Sequence, residues 1–290
     1  MRMERVRWED WDAARCVAGD CEMVVGFSAG PRILSLRHGT SGNLLYRDRQ
    51  DFRVGNWRLY GGHRFTVAPE GEDTYAADNE PCDVEMRERQ LRVAAPLGTN
   101  GTRRVLVIGA AADGGAGFDI QHVMENHSER VWRGALWGIT CVPRAIRVVA
   151  LRRNANLRFW PGGNNAAFRG NYQLTPEHLV ITPDGARGKA GWHSEAGWLA
   201  SLQAEATLVI HCPEAPPLQD CVDDGCNLEV FTCAEYVELE TLSGLVALAP
   251  RAHATHLQRW RLLPPVLAPH DGLALEAVIR GLAIASLPLK

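Results

Sequence analysis

The stretch Asn227-Leu-Glu-Val-Phe-Thr-Cys-Ala-Glu-Tyr-Val-Glu-Leu-Glu-Thr241 decides the fold class of this 290-residue chain. Apolar and polar side chains alternate along it, with one interruption near Cys233 and Ala234. Such alternation is typical of a β-strand, because successive side chains of a strand point to opposite faces of the sheet. The stretch therefore predicts two strands separated by a short break.

The same period-two pattern recurs along the chain, at 104–108, 118–124, 136–142 and 207–211. Turn signals rich in Gly, Asn and Asp lie between such runs, at 111–117, 161–165, 183–185 and 223–225. Helical patterns are scarce, and the segment 273–285 fits a terminal helix and a last pair of strands equally well. We therefore predict an all-β chain built as an antiparallel meander of many strands.

Composition indicates an ordinary globular protein, with 46% hydrophobic and 22% charged residues. A chain of this length fits one large β domain or two ordinary ones. Since no low-complexity linker divides the sequence, we predict a single domain over residues 1–290.

The charge pattern excludes some classes of partner. The 31 basic residues are interspersed with 34 acidic ones, so the chain has no basic patch for nucleic acid. Residues 1–20 are rich in charge and lack the apolar core of a secretory signal, and no apolar run is long enough to span a membrane. We expect a cytoplasmic protein whose partners include neither nucleic acid nor membrane.

The cysteines and histidines give no sign of a metal centre. The eight cysteines lack the paired two-residue spacings of zinc sites, and the favoured interpretation is reduced thiols packed as small apolar groups. The histidines lack a recognisable zinc-ligand arrangement, and both a nucleophile elbow and a phosphate-binding glycine loop are missing. We predict neither a metal nor a cofactor.

One stretch of the sequence, at 57–70, has the composition of a sugar-binding site. It places Trp57, His63, Arg64 and Glu70 around a Gly-Gly turn. An aromatic face suits the apolar face of a pyranose, and a guanidinium can donate two hydrogen bonds to neighbouring hydroxyls. The two glycines would let the backbone approach a ligand closely. The alternative is a bulge or tight turn in which Arg64 forms an ion pair with Glu70.

A pair of carboxylates is a candidate acid/base site. Alternation places Tyr236, Glu238 and Glu240 on one face of their strand. Two neighbouring carboxylates repel unless one is protonated or a cation lies close to them. The alternative is a solvated outer face, where carboxylates are common.

A third cluster, at 187–198, includes Lys189 and Trp192 among several glycines. The glycine spacing predicts a loop or a strongly bent strand. Lys189 could contact an oxygen of a ligand, and the alternative is an exposed lysine on a loop.

Taken in order, eight short segments of the chain resemble a bacterial family with a galactose-mutarotase-like fold. These segments are Tyr60-Gly-Gly-His-Arg-Phe65, Ala68-Pro-Glu70, Thr74-Tyr75, Asp78-Asn79, Gly188-Lys-Ala-Gly191, Gly197-Trp198, Asp224-Gly-Cys-Asn-Leu-Glu-Val-Phe231 and Val237-Glu-Leu-Glu-Thr-Leu242. The resemblance spans nearly the whole chain. It implies an antiparallel β-supersandwich with few short helices.

The resemblance also implies roles for particular residues. Aldose 1-epimerases, which share this fold, open and reclose a pyranose ring with a Glu as base and a His as acid. Glu240 looks like the counterpart of that Glu. Trp137 occupies the position of the His, and an indole can stack on a sugar but cannot act as a general acid toward its ring oxygen. His63 and Lys189 are the substitute acids, and Arg64 would orient hydroxyls.

Two hypotheses about function stay open at this point. The first is an aldose 1-epimerase-like isomerase that interconverts sugar anomers, and the second is a non-catalytic protein that binds or senses a carbohydrate. Both take a small carbohydrate, or the sugar end of an oligosaccharide, as the partner. Beside the catalytic candidates, the predicted substrate-binding residues are Arg64, Trp57, Glu70, Trp137, Glu238 and Trp192.

Overall fold

The computed structural model describes residues 1–144, 146–151, 156–161, 166–174, 178–195 and 197–266. The segment 273–285, for which the sequence allows a helix or strands, lies outside these residues. Within the described part of the chain, no helix is long and apolar enough to cross a membrane.

Strands make up most of the described chain. In chain order they are β1 (Arg2–Trp8), β2 (Trp11–Ala18), β3 (Cys21–Gly26), β4 (Arg32–His38), β5 (Arg53–Val54), β6 (Trp57–Arg58), β7 (His63–Ala68), β8 (Asp83–Arg87), β9 (Gln90–Ala94), β10 (Thr102–Ala110), β11 (Gly117–Asn126), β12 (Trp132–Pro143), β13 (Arg147–Leu151), β14 (Arg158–Phe159), β15 (Tyr172–Leu174), β16 (His178–Ile181), β17 (Gly188–Trp192), β18 (Trp198–Leu202), β19 (Thr207–His211), β20 (Leu228–Thr232), β21 (Tyr236–Leu242), β22 (Val246–Leu248) and β23 (His253–Leu263). Short helical turns are found at Glu72–Tyr75, Ala166–Gly170, Leu218–Asp220 and Val222–Gly225.

The strands form two large sheets and a small hairpin. The first sheet runs β1-β2-β3-β4-β7-β12-β21-β20-β17-β14, and β22 pairs beside it with β12. The second runs β15-β16-β13-β18-β19-β23-β11-β10-β9-β8, while β5 and β6 pair with each other. Neighbouring strands are antiparallel, as the period-two pattern predicts.

The four other runs with period-two alternation, predicted at 104–108, 118–124, 136–142 and 207–211, all lie within strands. These strands are β10, β11, β12 and β19. The stretch that opened the analysis folds into β20 and β21, with its break at 233–235. The two strands pair with each other, so that Glu229 lies opposite Glu240 and Phe231 lies opposite Glu238. Local alternation thus predicts these elements correctly.

A large apolar core joins the two sheets. It includes Met23, Ile33, Leu136 and Leu239 from the first sheet and Leu106, Ile120, Leu208 and Trp260 from the second. Burying each large apolar side chain contributes about 1.5–3 kcal/mol, so this core holds the sheets together. The face of the first sheet that points away from the core is free to carry other chemistry.

The Gly-Gly turn ahead of β7 serves chain packing. Gly61 and Gly62 have φ angles of +75° and +69°, which favour glycine. A Cβ on Gly61 would overlap the carbonyl oxygen of Tyr46, and one on Gly62 would overlap that of Ile33. The expectation that these glycines admit a ligand is therefore wrong, because neighbouring backbone fills the space.

Candidate functional site

A cavity of about 610 Å³ lies on the face of the first sheet that points away from the core. This volume is typical of a site for a small ligand. Seven of the predicted site residues line it, namely Trp57, Arg64, Glu70, Trp137, Lys189, Glu238 and Glu240. The alternative of a solvated outer face for the two β21 carboxylates is correct in that this face lies away from the core. It is wrong in that the face forms the wall of a cavity.

Strand register brings the charged side chains together. Neighbouring strands pair Arg64 with Ile139, Ile139 with Glu240, and Glu240 with Glu229, in one row across the sheet. Residues paired in this way point to the same face. Segments distant in the chain therefore place a guanidinium and two carboxylates side by side.

Lys189 is bound between two carboxylates at the base of the cavity. Its Nζ lies 2.6 Å from Oε2 of Glu229 and donates a hydrogen bond of 2.9 Å to Oε2 of Glu240. Burial by itself would lower the pKa of Lys189, but Glu240 and Glu229 outweigh it and the pKa is raised. An ammonium with a raised pKa holds its proton tightly, so the structure argues against the predicted acid role of Lys189.

The same ammonium also rests on aromatic rings. Nζ lies 4.4 Å from the ring centre of Trp137 and 5.1 Å from that of Trp160. Contacts at these distances are cation–π interactions, and such interactions are strongest away from water. Trp137, predicted to stack on a sugar, thus lines the cavity and supports the lysine as well.

Glu229 is an ionisable residue of the site that the sequence analysis missed. Its side chain is 0% exposed, and burial raises its pKa well above the usual range despite Lys189 beside it. Gly191 lies opposite it on β17, and a Cβ there would approach within 3.0 Å of the Glu229 Cγ. A signal was present, because Glu229 alternates with Leu228 and Val230 and so faces away from the core.

Glu238 has a raised pKa. Burial and then the charge of Glu240 raise its pKa to about 7, although Arg64 and Lys189 oppose the rise. The thiol of Cys141 donates a hydrogen bond of 3.7 Å to its Oε1. The sequence analysis expected a protonated carboxyl group or a nearby cation at this carboxylate pair. Lys189 is that cation, and the raised pKa of Glu238 favours its protonated form.

Arg64 lies against an aromatic wall. Its guanidinium is 4.7 Å from the ring centre of Trp57, and Nη1 donates a hydrogen bond of 3.4 Å to the carbonyl oxygen of Thr74. Glu70 instead accepts a hydrogen bond from the hydroxyl of Tyr75. The alternative in which Arg64 forms an ion pair with Glu70 is therefore not what these contacts show.

Aromatic side chains form much of the wall. The rings of Tyr46 and Tyr236 stack at 4.9 Å, and Trp57 meets Tyr75 edge to face at 5.4 Å. Further aromatic rings that line the cavity are Phe52, Trp160 and Phe231. The sequence predicted Trp57 as a site residue and placed Tyr236 on one strand face with Glu238 and Glu240. The other rings were not predicted to lie here, because stacking across strands has no local pattern.

The structure does not place His63 on the cavity wall. Its Nε2 lies 2.7 Å from Nε2 of His122 and its Nδ1 lies 2.9 Å from the Thr140 hydroxyl, between the two sheets. The side chain is fully buried, and burial followed by the nearby His122 lowers its pKa well below the usual value. A buried neutral imidazole on the core face cannot reach a ligand in the cavity, so His63 is withdrawn as the acid.

Trp192 is also misplaced as a substrate-binding residue. It is 0% exposed and belongs to the core that joins the sheets. Lys189 precedes it by three positions in β17, and an odd separation in a strand places two side chains on opposite faces. Trp192 therefore points to the core while Lys189 points to the cavity.

Metal binding finds no support in the described residues, which contain no group of three or more His, Cys, Asp and Glu side chains able to hold an ion. The described cysteines are all free, and burial raises the pKa of several of them, including Cys16, Cys212 and Cys226. Thiols of this kind are packing groups.

Comparison with known proteins identifies the fold. No family model matches the sequence, and no curated protein matches it. A galactose mutarotase-like protein of Lactobacillus casei superposes with a TM-score of 0.61 at 10% identity, covering 86% of this chain and 99% of that one. A protein of Escherichia coli K12 described as a candidate aldose 1-epimerase gives 0.57 at 11% identity, over 86% and 98% of the two chains.

A galactose mutarotase-related enzyme of Lactobacillus acidophilus is similar too, with a TM-score of 0.57 at 8% identity over 88% of this chain and 100% of that one. These likenesses confirm the galactose-mutarotase-like fold that the sequence resemblance implies. At such low identity they show the fold alone, so function has to be argued from the cavity.

Proposed function

We propose that this protein binds an uncharged sugar in the cavity and interconverts its anomers, with Glu240 as the base that accepts the proton of the anomeric hydroxyl. The observation that carries the proposal is a nearly buried carboxylate, 1% exposed, on the wall of an aromatic cavity that it shares with a guanidinium. Mutarotation needs proton transfers at positioned groups, and a carboxylate such as Glu240 can take part in them.

The walls of the cavity suit a pyranose. Indole and phenol rings can cover the apolar C–H face of a sugar, and the carboxyl groups and the guanidinium of Arg64 that line the cavity can pair with its hydroxyls. Lys189 compensates the charge of Glu240, so the carboxylate can lie in a largely dry site.

Charge supports an uncharged substrate. Among the described residues that line the cavity, the acidic ones are Asp48, Glu70, Glu235, Glu238 and Glu240 and the basic ones are Arg64, Arg187 and Lys189. Lys189 is already bound to carboxylates, and Arg187 lies 4.9 Å from the ring centre of Phe231. A phosphorylated or acidic sugar would meet this excess of negative charge, which disfavours its binding.

Exchange NMR on freshly dissolved aldoses tests the proposal. The wild-type protein should speed the exchange between α and β anomers above the buffer rate for at least one neutral aldose, and less for the matching 6-phosphate or uronic acid. Glu240→Gln should reduce the acceleration by about 10²-fold or more, the usual contribution of a general base. As a matched control, Glu85→Gln removes an exposed carboxylate on β8 of the second sheet and should retain the rate.

A second candidate function is carbohydrate binding without catalysis. It is favoured by the tryptophan at the position of the family's acid and by the raised pKa of Lys189, which leave neither of these side chains as a proton donor. Under this alternative, sugars bind to the wild-type protein and to Glu240→Gln, while the exchange rate stays at the buffer value in both.

A further inference from the structure

Ring opening of a pyranose needs a proton donor, and the two donors expected from the sequence do not serve. His63 lies on the core face, and Lys189 is bound to Glu229 and Glu240. Glu238 remains, on the same face of β21 as Glu240 and on the wall of the same cavity.

We propose that Glu238 is the general acid of the reaction, which donates a proton to the ring oxygen while Glu240 accepts one from the anomeric hydroxyl. This inference rests on the proposed function. It replaces the glutamate and histidine pair of the aldose 1-epimerases with two carboxyl groups on one strand.

The spacing along β21 fits this division of labour. Positions i and i+2 of a strand lie about 6.5–7 Å apart, since each residue rises about 3.3 Å. The ring oxygen and the anomeric oxygen are both bonded to C1, so a sugar whose C1 lies between Glu238 and Glu240 can meet one carboxyl group with each oxygen. Hydrogen bonds of about 2.6–3.2 Å on the two sides fill that spacing.

The surroundings of Glu238 favour its protonated form. It lies opposite Cys141 on β12 and opposite Phe231 on β20, so neither neighbouring strand gives it a cation as its direct partner. Glu240, by contrast, shares Lys189 directly. The two carboxyl groups therefore differ in environment in the way that acid and base require.

Other titratable groups around Glu238 modify this difference. Burial and the charge of Glu240 raise its pKa. Arg64 on β7, Lys189 on β17 and the hydrogen bond from the Cys141 thiol on β12 lower it. The phenols of Tyr236 and Tyr75 also interact with it, and the presence of Glu238 helps to raise the pKa of both. The net result is the pKa of about 7, so a large share of Glu238 carries a proton at neutral pH.

The step balances without a co-reactant. The proton of the Glu238 carboxyl group moves to the ring oxygen as the bond from C1 to that oxygen breaks. Glu240 takes the proton of the anomeric hydroxyl as C1 becomes an aldehyde carbon. After rotation about the bond from C1 to C2, the ring oxygen attacks the other face of the aldehyde. Glu240 then returns its proton to the new anomeric oxygen, and the ring oxygen returns its proton to Glu238.

The pH profile of anomer exchange tests the inference. Because the acid acts in its protonated form, the wild-type rate should fall as pH rises above about 7. Glu238→Gln should lower the rate at pH 6 by about 10²-fold or more and abolish this alkaline fall, while Glu238→Asp should restore part of both. An active wild-type protein whose Glu238→Gln variant keeps the rate and the alkaline fall would overturn this inference and leave the proposed function standing.

A second measurement needs no active variant. Carbon-13 NMR of the glutamate side-chain carboxyl groups in the wild-type protein should show a group that titrates near pH 7 and that Glu238→Gln removes, whereas the signal of Glu229, whose pKa is also raised, should stay. If Glu238→Gln removes no signal that titrates near pH 7, the inference is wrong. A wild-type protein that leaves every aldose at the buffer rate would remove the proposed function, and this inference with it.

Discussion

The two faces of the first sheet carry polar groups in opposite states. On β7, β12 and β21, Arg64, Ile139 and Glu240 face the cavity, and the residues beside them face the core. The cavity face holds charged groups compensated by ion pairs and aromatic rings. The core face and the facing strands β11 and β23 of the second sheet hold a neutral network of His63, His122, His256, Thr140 and Thr241.

The comparison teaches that a single step along a strand decides the role of a titratable side chain. His63 and Arg64 are neighbours in sequence, yet one is locked between two sheets and the other lines a cavity. Burial in both places removes water, and the outcome depends on the partners available. Histidines on the core face stay neutral, whereas Lys189 on the cavity face stays charged because two carboxylates surround it.

The largest effect is expected where the charged face loses its central cation. Lys189→Met leaves Glu229 and Glu240 without the ammonium, and breaking a buried ion pair in this way costs about 3–5 kcal/mol. We expect that loss in the free energy of unfolding at pH 8, measured by urea denaturation. The deficit should be smaller at pH 5, because Glu229, whose pKa is already raised, takes up a proton more readily there.

The double variant Lys189→Met/Glu229→Gln is the matched control for that experiment. It removes one of the two uncompensated carboxylates and should recover part of the lost stability. A Lys189→Met protein that is less than about 1 kcal/mol below wild type would contradict the idea that this face depends on charge compensation.

A smaller effect is expected for sugar binding when the cavity loses its arginine. Arg64→Ala should weaken the binding of a neutral aldose by about 1.5–3 kcal/mol, or roughly 10- to 150-fold, the scale of a hydrogen bond to a charged group. Isothermal titration calorimetry measures the change. The exposed Arg37 on β4 provides a control, since Arg37→Ala should leave affinity intact. Equal affinity in wild type and Arg64→Ala would remove Arg64 from the site.

The smallest effect is expected on the core face, where it appears in how steeply the free energy of unfolding changes with pH. Burial lowers the pKa of His122 to about 4 and that of His256 to about 3, while unfolded histidines titrate near 6.5. The unfolded chain therefore binds more protons below pH 6.5, and stability should fall as pH falls from there toward 4. Each such histidine contributes about 1.4 kcal/mol per pH unit.

His256→Asn tests this contribution. The free energy of unfolding of this variant, measured by urea denaturation between pH 6 and pH 4.5, should decline less steeply than that of wild type by about 1.4 kcal/mol per pH unit. An unchanged slope would mean that His256 is already protonated in the folded protein, and the neutral network would then be wrong.

Sequence reasoning predicts the strands and the facing of side chains within each strand, because both follow from a local period of two. It therefore placed Tyr236, Glu238 and Glu240 on one face correctly. It could also have separated His63 from the site, since His63 alternates in phase with the buried Phe65 and Val67. The prediction for the Gly-Gly segment relied on its residue types and did not use this alternation.

Sequence reasoning could not predict which distant strands lie side by side. Lys189 meets Glu240 only because β17 pairs with β20 and β20 with β21, and register across strands has no local pattern. For the same reason the contact between Glu229 and Lys189 and the place of Trp160 on the cavity wall were missed. This register also decides whether Glu240 or Glu238 has a cation as its close partner. The proposed division into base and acid therefore depends on it too.

The most direct measurement compares anomer exchange in two variants that differ by one step along β21. Glu240 faces the cavity, and Thr241 faces the core, where its hydroxyl contacts His256 and Gln258. At pH 7, per molecule of folded protein, Thr241→Val should keep the wild-type exchange rate, and Glu240→Gln should lose about 10²-fold or more of it. Equal rates in the two variants, whether both high or both low, would contradict a catalytic role for the cavity face.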